Sequence, residues 1–190
     1  MTQGLYHYVR NVWKKPDQSR VRELMTQWRR EQTVTVLERP TRIDRARALG
    51  YKAKKGFLVA RVRIARGGRK RARPRKGRRS KRMSIIKTLK MNYQWVAEIR
   101  AQKKFVNLEV LHSYYLAKDG RYYFYEVILV DPERPEIKND PTINWITRPE
   151  NRGRVYRGLT GAAKRSRGLR SKNPMNKNRP SVRAGKRKGK

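Results

Sequence analysis

The order of apolar and polar positions divides the chain into helical, strand and pattern-free stretches. In residues 17–32, Val21, Leu24, Met25 and Trp28 recur at i, i+3, i+4 and i+7, one stripe of a helix that Asp17 can cap. A shorter helix over residues 5–13 is expected to pack beside it. Residues 34–40, VTVLERP, are β-branched and stop at Pro40, which predicts a short strand. IDRARALG, residues 43–50, predicts a short helix ended by Gly50. In FLVARVRI, residues 57–64, Leu58, Ala60, Val62 and Ile64 share one face and Arg61 and Arg63 the other. Ser84 can cap a helical stretch reaching about Lys104, with Leu89, Tyr93, Val96 and Ile99 along it, and Asn92 is placed to break it in two.

The strongest local signal is FVNLEVLHSYYLAKDGRYYFYEVILVD, residues 105–131. Asp119 and Gly120 fall at the centre of a hairpin turn that requires positive φ. Of these 27 residues 17 are apolar or aromatic, too many for one buried face, so both faces of the hairpin must be covered. The expected fold is α+β: a three-layer α/β/α globule around a roughly four-stranded, mostly antiparallel sheet, with residues 34–38 and 57–64 as the first two strands.

Charge changes this picture. The 190 residues carry 52 Lys or Arg against 14 Asp or Glu, a net charge of +38, which calls for a polyanionic partner and excludes an ordinary free enzyme of this size. Residues 61–82 hold 13 of the cations and residues 151–190 hold 15, with no acid in either segment, whereas residues 105–150 carry 5 cations and 8 acids. Two polycations therefore flank an acidic centre. The organisation read from this is a globular domain over 1–150, a basic RNA-binding loop inserted at 61–84, and an extended basic tail over 151–190. Ordering that tail would cost on the order of 40–80 kcal/mol, which only burial in a folded nucleic acid could offset. RNA is preferred over DNA because folded RNA offers grooves and junctions for an irregular chain.

Other chemistry is thin. The chain has no Cys and only His7 and His112, so neither a thiolate nucleophile nor a zinc site is expected, and no cofactor or metal is assigned. His7 reads as a surface residue and His112 as part of the sheet. The glycines of ARGGRKRARPRKG do not follow the phosphate-loop pattern. Glu133, Glu136 and Asp140 read as solvated loop acids balancing arginines, and Tyr122, Tyr123, Phe124 and Tyr125 as core or rim packing rather than base-stacking groups. No apolar run reaches 18 residues, and the first 15 residues lack the order of a secretory signal, so a soluble intracellular protein with neither a membrane nor a small-molecule substrate is expected. A general RNA chaperone or nucleic-acid-compacting protein would share the charge but has no need of a rigid apolar hairpin.

ERPTRIDRARALGYKAKKGFLVARVRIARGGRKRARPRKG, followed in order by EVILVDP, INWIT, RGLTGA and KRSRGL, strongly resembles the archaeal and eukaryotic-type fifteenth protein of the large ribosomal subunit. The similarity spans most of residues 5–170, and the hairpin looks closer to archaeal members. It implies a four-stranded sheet with helices on both sides and a structural, non-enzymatic place in cytoplasmic ribosomes. It also implies contact with large-subunit ribosomal RNA and neighbouring large-subunit proteins. On the matching motifs, Arg42, Arg45, Arg47, Lys52, Lys54 and Lys55 are expected to clamp phosphates beside the domain, with Arg61 and Arg63 leading into the loop. Arg66, Arg69, Lys70, Arg71, Arg73, Arg75, Lys76, Arg78 and Arg79 would thread an RNA groove. Arg157, Lys164, Arg165 and Arg167 would anchor the start of the tail.

Overall fold

The computed structural model describes residues 3–68, 77, 89 and 91–170. Four antiparallel strands, β1 (Val34–Leu37), β2 (Phe57–Ala65), β3 (Glu109–Lys118) and β4 (Tyr122–Val130), lie in the order β1-β2-β4-β3. Strand β4, YYFYEVILV, reads as an apolar run broken only by Glu126 because both its faces are covered, and β2 is likewise buried on both faces from Val59 to Val62. One face packs Ala60, Val62, Val127 and Leu129 against α4 (Tyr93–Lys104) and α6 (Gly161–Ser166) through Trp95, Ala97, Ala101, Ala162 and Ala163. On the opposite face Leu111, Phe124 and Ile128 meet α2 (Gln18–Arg30), α3 (Ile43–Ala48) and α5 (Pro135–Lys138) through Trp28, Ala46 and Ile137. This is the expected three-layer α+β arrangement.

Local chemistry accounts for the element ends. The Asp17 carboxylate accepts the Ser19 N–H at 3.0 Å and starts α2, whose Val21, Leu24 and Met25 pack round buried Trp28. At the end of α3, Gly50 has φ +96°, so the Tyr51 N–H reaches the Ala46 carbonyl and the Gly50 N–H that of Arg47, both at 3.0 Å.

Several expectations are corrected. The first helix, α1 (Leu5–Lys14), packs on α3 rather than on α2; Arg42 and Arg47 of the α3 segment lie over its Trp13 and Tyr6 rings. Gly120 does not take positive φ. The Asp119 side chain shapes the hairpin instead, its Oδ1 accepting the N–H groups of Arg121 and Tyr122 at 2.7 and 2.5 Å. The proposed start at Ser84 lies outside the described residues, and α4 begins after Asn92, whose Oδ1 accepts the Trp95 N–H at 2.8 Å. Its buried residues are Trp95, Ala97, Glu98, Ala101 and Gln102 rather than a purely apolar stripe. Finally, residues 151–170 are folded onto the domain: Val155, Ala162 and Ala163 sit in the core beside α4, so the extended part of the tail cannot begin at 151.

Candidate nucleic-acid interface

Four of the acids lie inside the domain. Glu98, Glu109, Glu126 and Asp140 are all buried. Glu98, on α4, accepts the Ser113 hydroxyl from β3 and the Thr160 hydroxyl at 2.5 Å from the cap of α6. On the other face Glu126 accepts the Tyr114 hydroxyl, and its two oxygens each lie 3.2 Å from the Thr41 N–H. Burial raises both carboxyls above their ordinary range, against the hydrogen bonds that favour the ionised form. Asp140 is also buried, not solvated as expected, and its charge is balanced by lysines rather than arginines: Lys52 and Lys54 each donate to Oδ2 at 2.7 Å. Those bonds, with the Thr142 contacts, hold its carboxyl well below the ordinary range.

These environments set opposite pH responses. Because the folded Glu98 carboxyl holds its proton more tightly than an unfolded one, its contribution to stability is full below 4.5 and is lost as pH rises through the raised folded value. Glu98→Gln should therefore gain on the parent protein in urea midpoint as pH rises above 4.5; a difference that does not change with pH would count against this. Asp140 acts the other way: its contribution is present above 3.8 and is lost as the solution becomes more acidic.

The cations divide by how the fold uses them. Arg61 is buried in β2, its guanidinium 2.6 Å from Glu31 Oε1 and 4.8 Å from the Trp28 ring. Arg42 pairs with Asp44 at 3.2 Å, and Lys52 and Lys54 are engaged by Asp140. Arg63, Arg66, Arg157 and Arg167 hydrogen-bond main-chain carbonyls, which orients them without cancelling their charge. Arg66 also covers the Tyr123 ring at 5.3 Å, and the Tyr93 hydroxyl accepts from the Gly67 N–H at 3.0 Å where the chain leaves β2. Thus the strand exit into the basic segment is held by aromatic rings. Arg45, Lys55, Lys164 and Arg165 are exposed and make no side-chain hydrogen bond or ion pair among the described residues, and Arg47 touches only the Tyr6 ring. Arg69, Lys70, Arg71, Arg73, Arg75, Lys76, Arg78 and Arg79 lie outside the described residues.

Residue typing alone missed part of this surface. Arg154 donates to the Val110 and Leu111 carbonyls at 2.8 and 3.1 Å and lies over Trp145. Gln94, Ser113 and Tyr115 line a cleft with Arg42, Arg45 and Arg165. Nothing local in the sequence marks that group, since its members come from four separate segments. The histidines are placed as expected, His7 exposed on α1 and His112 in β3, where burial pushes the His112 ring below its ordinary value and favours the neutral form.

A covered sheet domain with four buried acids, continuous with long acid-free basic segments, fits a structural protein of the ribosomal class. The family model described as Ribosomal L15 matches residues 4–185. The chain belongs to that family, in its archaeal and eukaryotic form, and is a structural protein of the large ribosomal subunit. Among the described residues no helix is long and apolar enough to cross a membrane.

Proposed function

We propose that this chain binds and stabilises folded ribosomal RNA in cytoplasmic ribosomes, using the basic segment after β2 and the basic C-terminal segment. Its role there is structural, without catalysis, and other large-subunit proteins are its neighbours. The observation that carries this reading is the separation of charge: four acids buried in the core against 28 cations and no acid in residues 61–82 and 151–190. Arg45, Arg47, Lys55, Lys164 and Arg165 extend that surface over the domain. Arg63, Arg66, Arg157 and Arg167 are pre-oriented by their carbonyl contacts, so less side-chain freedom is lost when phosphate binds. Lys52, Lys54 and Arg61 act mainly by shaping the domain that carries the others.

Each neutralised phosphate contributes about 0.7–0.9 to the log–log salt slope, so many contacts make release at cellular salt negligible. Sedimentation of the native protein after salt washing tests this. It should remain with the large subunit through roughly molar salt; release at about 0.2–0.3 M would show a loosely held polycation and overturn the proposal.

A further inference from the structure

We infer that the cleft at the free edge of β3 receives a single unpaired nucleotide of RNA, its base against Tyr115 and its phosphate among Arg42, Arg45 and Arg165. The inference rests on the RNA-binding reading above and deepens it. Strand β3 lies at the edge of the sheet, and the cleft straddles that edge, with Arg42 and Arg45 from the α3 side and Gln94 and Arg165 from α4 and α6. Its volume is about 290 Å³, near the lower end for small-molecule sites and suited to one nucleotide rather than a helix.

Three features make this a built site. First, Tyr115 is a large aromatic left 42 % exposed yet fixed in place, with T-shaped contacts to Tyr123 and Tyr125 at 6.4 and 6.0 Å. A rigid, half-exposed ring beside guanidinium groups is the arrangement that stacks an extruded base. Second, Arg45 and Arg165 are not engaged by any acid among the described residues, while the Arg42 Nε is buried without a hydrogen-bond partner. Third, buried carboxylates brace both walls. Glu126 holds Thr41, next to Arg42, and Glu98 holds Ser113 together with the Thr160 cap of the helix that carries Arg165. Asn92 adds a tie, its Nδ2 donating to the Ala162 carbonyl at 2.9 Å.

An added β-strand fits this edge less well. Pairing of β3 is interrupted between Val110 and His112 and again between Tyr115 and Ala117, and the Ser113 carbonyl is already taken by Gln94 Nε2 at 2.9 Å. Such irregular edges are poor templates for a further strand.

The test measures affinity of the full chain, at one fixed salt, for a short RNA duplex, the same duplex with one bulged purine, and that duplex with the bulge made abasic. The bulged RNA should bind on the order of tenfold more tightly than the other two, the scale of one base–aromatic stack. Tyr115→Leu should bring the affinity for the bulged RNA down to that for the duplex while the far-ultraviolet dichroism of the backbone stays unchanged. Arg45→Gln, a change at an exposed side chain, should weaken the bulged RNA more than the duplex and supplies an independent arm. Equal affinity for the three RNAs, or a preference that survives in Tyr115→Leu, would overturn this inference alone; failure to bind any of them would overturn the functional reading with it. An acidic extended peptide that binds as tightly as the bulged RNA and depends equally on Tyr115 would also overturn it, in favour of strand addition.

Discussion

Trp95→Ala is expected to lower the free energy of unfolding by about 3–5 kcal/mol, the usual range for truncating a buried tryptophan. The indole is packed between α4, the sheet and α6. Its Nε1 also donates to the Val155 carbonyl at 2.8 Å, so truncation opens a cavity and leaves a buried carbonyl without its donor. The consequence should not be uniform. The ring meets the 153–170 segment where Gly158 adopts φ +71°, and a Cβ built there would lie 2.8 Å from Arg167 Cδ and 3.3 Å from Trp95 Cζ2. That close approach means the indole and the chain reversal at Gly158 support each other. Limited proteolysis of Trp95→Ala should therefore cut within residues 153–170 before the sheet is lost, and urea unfolding should show the lower midpoint. A variant as stable as its parent and equally resistant to protease would refute this account of how the chain beyond 150 is held.

Glu126→Ala should lose about 3–5 kcal/mol as well, by a different route. Glu126 is 0 % exposed in the middle of β4, opposite Arg61 of β2. Removing its carboxylate strands the Tyr114 hydroxyl and the Thr41 N–H without acceptors. It also takes away a negative charge close to Arg61, whose remaining partner is Glu31. Glu126→Gln keeps one acceptor oxygen and should lose only about 1–2 kcal/mol. Urea titrations of the two variants beside Tyr114→Phe separate these contributions: if the carboxylate organises the site, Tyr114→Phe should cost much less in the Glu126→Ala background than in the parent. Additive losses would mean that Tyr114 and Glu126 are neighbours without being coupled. Since Thr41 precedes Arg42, the alanine variant should also loosen one wall of the β3 cleft.

Much of the architecture was legible in the chain because the relevant signals are local. A stripe at helical spacing from Val21 to Trp28, alternation along residues 57–64 and an apolar excess in 105–131 are each local patterns, and a helix, a strand and a hairpin stand there. Asn92 is a local start signal, and its side chain caps α4. The chain reverses at Asp119–Gly120 as the sequence predicts, but without positive φ at the glycine, because the aspartate side chain bonds to the following N–H groups.

Composition and periodicity by themselves determined a covered four-strand sheet, an excess of positive charge and where along the chain that charge concentrates, because these depend on residue type and spacing alone. Which cations remain available was decided only in three dimensions. Arg61 and Arg63 alternate identically in the sequence, yet one is sealed against Glu31 and Trp28 and the other lies over Tyr122. Lys52 and Lys54 look like Lys55 until Asp140, more than eighty positions away, engages the first two and not the third. Burial of Glu98 and the meeting of Arg42, Tyr115 and Arg165 likewise depend on contacts between distant segments. The charge of a side chain is written in its chemistry; whether that charge is cancelled depends on what the fold brings within hydrogen-bonding distance.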